Sequence, residues 1–220
     1  MPQAKKKHRS NPAWIQRHVT DPFVRRSVQE GYRSRAAYKL AEIVDAGRLL
    51  KPGMTVVELG AAPGSWTQVV RQRLSAPDGT LRGRIVALDL LPMEPVPDVH
   101  FIEGDFREEA VERQLEGLLG QAAVDAVLSD MAPNLSGIGA SDAARSLHLA
   151  ELAADFAVRH LKQDGFLLLK AFQGSGFSQL VEQLKRDFRS VATRKPKASR
   201  ETSAELFLLA RQLKARPDDH

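Results

Sequence analysis

Val56-Val57-Glu58-Leu59-Gly60-Ala61-Ala62-Pro63-Gly64-Ser65-Trp66 is the stretch from which the rest of the chain can be read. Residues 54–59 are a short apolar, β-branched run entered from Pro52-Gly53, the pattern of a strand covered on both faces. Gly60 to Gly64 then strips bulk from the main chain, so that a ligand can approach it closely. Ser65 is placed to cap a helix over residues 66–74, whose amide end favours anionic or electron-rich groups. A tight turn without a ligand would need neither Glu58 inside the strand nor Trp66 just past the turn. The spacing also departs from G-x-G-x-x-G, because Ala61-Ala62 follows Gly60. It argues against a dinucleotide and for a different adenosyl ligand.

Outward from this unit the chain alternates strand and helix. Strands are expected over 84–88, 99–102, 124–128, 165–170, 190–193 and 206–210. Helices are expected over 34–46, with Ser34 as cap, and over 108–119, 142–160 and 177–188. The alternation predicts an α/β fold with a doubly wound, mainly parallel sheet. In such sheets ligands bind outside the carboxyl ends of the strands. Here the first four strands end at Gly60, Asp89, Asp105 and Asp130, and the fifth ends at Lys170. One carboxylate at a strand end caps a turn, but three on consecutive strands around a glycine-rich loop make a binding site.

The 220 residues suit one domain with a full core. Residues 1–31 read as a basic N-terminal arm, disordered over about 1–11 and irregular over 12–31. The body spans 32–211 and a tail follows over 212–220. The absence of cysteine excludes disulfides, thiolate zinc sites and iron–sulfur clusters, and the six histidines have no metal-ligand spacing. No apolar run approaches a membrane span and no signal-peptide hydrophobic region is present, so a cytoplasmic monomer without membrane attachment is expected. The net charge of +5 is unevenly spread. Residues 1–39 hold ten Lys/Arg against Asp21 and Glu30, and residues 185–200 hold seven against Asp187. Residues 40–184 hold twelve basic groups against twenty acidic ones. Two basic flanks around an acidic centre point to a polyanion, nucleic acid, held over a central site.

These residues together resemble the FtsJ-type ribosomal RNA large-subunit 2′-O-ribose methyltransferases, the methyltransferase E family. Seven blocks in order carry the likeness. They are Arg33-Ser34-Arg35-Ala36-Ala37-Tyr38-Lys39-Leu40, Leu59-Gly60-Ala61-Ala62-Pro63-Gly64, Asp89-Leu90-Leu91-Pro92-Met93 and Gly104-Asp105-Phe106. Ser129-Asp130-Met131-Ala132-Pro133-Asn134, Lys170-Ala171-Phe172-Gln173-Gly174 and Lys195-Pro196 with Ser199-Arg200 complete them. The resemblance implies a class I, Rossmann-like methyltransferase fold with a seven-stranded sheet. It implies transfer of methyl from S-adenosylmethionine to a uridine 2′-hydroxyl of 23S RNA, on the assembled large ribosomal subunit. The implied cofactor residues are Gly64, Trp66, Asp89, Asp105 and Asp130. Asp89 is suited to the ribose hydroxyls, Asp105 to the adenine amino group, and Asp130 to the methionine ammonium.

The family's catalytic set falls on Lys39, Asp130, Lys170 and Glu205, with no metal. A lysine near its free value of ~10.4 is protonated and cannot take a proton. A second cation and burial would lower Lys170, while Asp130 and Glu205 would raise it, and Lys170 is the expected proton acceptor. Glu201 is the alternative to Glu205, which stands where the family has S-x-E, here Ser203-Ala204-Glu205. Departures are Phe207 for a tyrosine, Ala204 for an arginine and Ser65 for a glycine. Two other classes compete. A ribosome-assembly RNA binder would not need the four-residue set, and a nicotinamide oxidoreductase would be expected to carry G-x-G-x-x-G.

Overall fold

A computed structural model describes residues 20–133, 139–200 and 203–215. Expectations for residues 1–11, for Glu201 and for the end of the tail lie outside the described residues. Helices α1 (Pro22–Gln29) and α2 (Ala36–Gly47) come first, followed by strand β1 (Thr55–Leu59) and helix α3 (Ser65–Leu74). Strands β2 (Arg84–Asp89) and β3 (His100–Glu103) lead to helix α4 (Glu109–Leu119), strand β4 (Val124–Ser129) and helix α5 (Gly139–His160). Strand β5 (Leu161–Phe172), helix α6 (Phe177–Asp187) and strands β6 (Phe188–Arg194) and β7 (Glu205–Leu213) complete the order.

The seven strands form one sheet in the order β3-β2-β1-β4-β5-β7-β6. The first five strands run parallel. Strand β7 lies between β5 and β6 and is antiparallel to both. The apolar residues of α2 and α3, among them Leu40, Ile43, Trp66 and Val70, pack with Val56, Leu128, Leu168 and Phe207 on one face. Those of α4, α5 and α6, such as Leu115, Phe156 and Leu184, pack with Val57, Val127, Leu167 and Leu208 on the other. Alternate residues of each strand thus serve opposite cores, which is why the central strands read as unbroken apolar runs. The sheet is doubly wound, as expected, with the antiparallel strand at its far side.

Three local expectations are corrected and one is met. Residues 22–29 are helical rather than irregular: Asp21 accepts from Phe23 N at 3.0 Å and Pro22 occupies the first helical position. Ser34 caps α2 as expected: its Oγ accepts from Ala36 N at 3.2 Å, and Arg35 between them is already helical. Ser65 does not cap α3 but lies inside it, after Gly64 at φ +103°. The two serine hydroxyls also bond each other, Oγ to Oγ at 2.6 Å, and so join the entries of the two helices. Strand β5 begins at Leu161 rather than Gly165, across a register shift opposite Val124 and Ala126. That segment is pinned by Asp125, whose Oδ1 accepts from Lys162 Nζ and whose Oδ2 accepts from Thr55 N, both at 2.7 Å.

Candidate active site

The carboxyl ends of β1, β2, β3 and β4 open into a cleft of about 410 Å³. Gly60, Ala62, Asp89, Asp105, Phe106 and Asp130 line it, and α5 closes one side with Arg145, His148 and Leu149. Asp89 braces the glycine-rich turn: Oδ2 accepts from Ala62 N and Oδ1 from Leu91 N, each at 2.8 Å. A carboxylate has about four acceptor positions, so both oxygens keep capacity for hydroxyl donors. Asp105 accepts from Arg107 Nε at 2.9 and 3.1 Å and from Arg107 Nη2 at 2.5 Å. These bonds hold its carboxyl below the usual range.

The turn glycines answer to the protein as well as to a ligand. A Cβ on Gly60 would stand 2.7 Å from Met131 N, so the loops after β1 and β4 can touch only because it is absent. A Cβ on Gly64 would collide with Arg33 Nη1. That guanidinium bonds Pro63 O at 2.9 Å and Glu94 O at 2.6 Å, which ties the turn to the loop after β2. Gly64 and Trp66 do not line the cleft. The Trp66 ring is 2% exposed, donates Nε1–H to Ala36 O at 2.9 Å and lies 5.7 Å from the Phe207 ring.

The other expected residues form two lysine–carboxylate pairs. Lys170 Nζ donates to the main-chain oxygen of Asp130 at 2.6 Å and stands 2.9 Å from Asp130 Oδ1. Its side chain is only 9% exposed. Lys39 Nζ donates to both oxygens of Glu205, at 2.6 and 2.8 Å, and Ser199 Oγ adds a bond to Oε1 at 3.0 Å. Strand register relates the pairs. Lys170 is opposite Phe207 on β7, and Glu205 is two residues before Phe207. Directly opposite and alternate residues share a face, so Lys170, Phe207 and Glu205 point to the same side of the sheet. Helix α2 packs on that side, and it carries Lys39 to within 5.9 Å of the Phe207 ring centre.

An FtsJ-like methyltransferase family model matches residues 32–213. The ribosomal RNA large subunit methyltransferase E of Bordetella petrii is 58% identical over 212 residues, 96% of this chain and all of its own. Its namesake from Ralstonia nicotianae is 58% identical over 94% of this chain and 98% of its own. A Plasmodium falciparum crystal structure of an assigned ribosomal RNA methyltransferase superposes with a TM-score of 0.74 at 30% identity, covering 84% of this chain and all of that one. The chain belongs to the FtsJ-like methyltransferases.

Within this FtsJ-like site several residues escaped sequence reading. Arg107 was detectable from its place two residues after Asp105. Arg145 and His148 reach the cleft from one face of α5, a helix that held no motif. Ser199 was visible only as part of a family block. Glu58 was noticed but given no role. It is fully buried, and burial pushes its carboxyl up to about 8. Thr67 opposes that shift, while the charges of Asp130 and Asp89 reinforce it. One group that linear spacing did not reveal, Glu112, Glu116 and His160, brings ligand atoms within 4.8 Å of one another. Arg159 already pairs with Glu112 there, and the His160 ring stacks 4.3 Å from that of Phe156.

Proposed function

We propose that this FtsJ-like methyltransferase moves the methyl group of S-adenosylmethionine to the ribose 2′-hydroxyl of a uridine in 23S ribosomal RNA. It acts on the assembled large subunit, as a cytoplasmic monomer. The observation that carries the reading is the pair of lysine–carboxylate contacts on one rim of the sheet, beside a cleft edged by three strand-end aspartates.

The residues present fit the cofactor. Asp89 takes the ribose hydroxyls on its remaining acceptor positions. Asp105 would take the adenine amino group once Arg107, which now fills its acceptor positions, turns aside, with Phe106 or Leu90 over the ring, and Asp130 would complement the ammonium of the methionine end. Gly64 and Trp66 would act indirectly, since Gly64 N closes the turn on Ala61 O at 2.6 Å and the Trp66 ring anchors the start of α3 on Ala36 O. S-adenosylmethionine supplies, when bound, a sulfonium methyl that is already electrophilic.

The protein's own work is to place and deprotonate a weak nucleophile. Lys39 and Glu205 hold the ribose hydroxyl in line with the methyl, which turns an encounter into a positioned reaction. Lys170 would accept the hydroxyl proton at Nζ as the ribose oxygen takes the methyl that the cofactor would supply. Asp130 keeps that amine at the mouth of the cleft through its main-chain oxygen and its carboxylate. The test is methyl incorporation into large subunits that lack the modification, followed by mapping of the methylated ribose. Lys170→Ala is expected to lower the rate by roughly 10²–10⁴, with cofactor affinity by calorimetry changed only a few-fold. Equal rates would remove Lys170 from its role, and cofactor binding without transfer to any RNA would leave an RNA-binding assembly factor.

A further inference from the structure

Arg35, Lys39 and Glu42 stand at i, i+4 and i+7, so they form one stripe along α2. All three end on the same region of the chain. The Arg35 guanidinium, paired with Asp21, also donates to Ala198 O. Glu42 accepts from Lys197 N at 2.9 Å, and Lys39 reaches Glu205. Residues 196–199 are closed on themselves by Ser199 N, which donates to Pro196 O at 2.8 Å. Pro196, Ala198 and Ser199 are buried. The helix that carries Lys39 therefore fixes a turn at two points, and from that turn the Ser199 hydroxyl reaches the acid that Lys39 binds.

The terminal torsion of a glutamate side chain is broad and roughly two-fold, so a carboxylate bound to one ammonium can still rotate. Lys39 touches both Glu205 oxygens and does not distinguish them. Ser199 touches only Oε1, from an immobilised main chain. We propose that Ser199 is a positioning residue, whose hydroxyl holds the Glu205 carboxylate in the one orientation that leaves Oε2 and the Lys39 ammonium directed at the substrate hydroxyl. The role rests on reading Lys39 and Glu205 as catalytic. Ser199 itself touches no reacting atom.

A double-mutant cycle on methyl transfer tests it. Ser199→Ala is expected to lower kcat roughly ten- to hundredfold, the scale of one hydrogen bond to a charged group, with KM for cofactor and RNA within about twofold. In a Glu205→Ala background the same substitution is expected to change kcat by less than about 1.5-fold, because the partner it positions is gone. A loss of equal size in both backgrounds, or one expressed in KM, overturns the proposal. Should Ser199→Ala lower the urea midpoint, Ser199→Cys, close in volume but a weak donor, takes its place in the cycle. A wild-type chain that methylates no RNA overturns the catalytic reading and this role with it. Wild-type transfer that Ser199→Ala leaves untouched overturns this role alone.

Discussion

Glu58 lies next to last in β1, on the face covered by α2 and α3, where an apolar residue would cost nothing to bury. Its carboxyl titrates near 8 in the folded chain against an ordinary value of 4.5, with burial as the main cause. Between those values the unfolded chain gives up a proton that the folded chain retains. Stability from this group is therefore full below pH ~4.5, falls as pH rises, and levels off above about 8. Glu58→Gln cannot ionise, so it is expected to be more stable than wild type at pH 8, by an amount on the order of a few kcal/mol, and to differ little at pH 4.5. Urea midpoints of both proteins at the two pH values measure this directly. An unchanged difference between the two pH values would mean that the carboxyl is already ionised in the fold. The placement also has a local logic, since an ionised Glu58 would add a third negative charge close to Asp89 and Asp130.

At the scale of elements, the stripe on α2 predicts that this helix and the turn before β7 are coupled. Glu42→Ala removes the acceptor of the Lys197 amide. It is expected to raise the exchange rate of that amide about fivefold or more, while the α2 amides keep their protection. Hydrogen exchange read residue by residue checks it, and equal loss across α2 would show that Glu42 supports the helix instead. The same elements show what a sequence can and cannot disclose. Strand β1, its glycine-rich turn and the acids ending β2, β3 and β4 were legible, because period, bulk and chain order express them locally. The pairing of Lys39 with Glu205, 166 positions apart, has no local expression and came only through family likeness. Helix α1 did carry a local signal, Asp21-Pro22, which was outweighed by the arginines that follow. Ser34 and Ser65 each looked like a cap. Ser34 is one, through Ala36 N, whereas Ser65 lies inside its helix with its hydroxyl turned to that of Ser34.

For the molecule as a whole, the two basic flanks do not remain apart. Arg200 lies 3.9 Å from the carboxylate of Asp21, and Arg35 bonds both Asp21 and Ala198. The end of the first flank and the end of the second thus meet beside Lys39 and Glu205, next to the acidic cleft rather than around it. Phosphates held there would lead a ribose into the site. RNA affinity is accordingly expected to fall steeply with salt. Replacing the exposed Arg194 and Lys197 with alanine should lower the slope of log affinity against log salt by roughly 0.7–0.9 for each phosphate that is no longer neutralised. Binding titrations across salt concentrations check it, and an unchanged slope would place the RNA elsewhere.

Strand β7 is made after β6 yet lies between β6 and β5, and because it runs against β5 its first residue, Glu205, rather than its last reaches the working rim. A nascent chain halted just before that strand would have every described residue of the cleft, all of them before position 150, but no partner for Lys39. The ribosome translating this protein must therefore release nearly the whole polypeptide before Lys39 can meet Glu205, so the second lysine–carboxylate pair is the last part of the site to be made.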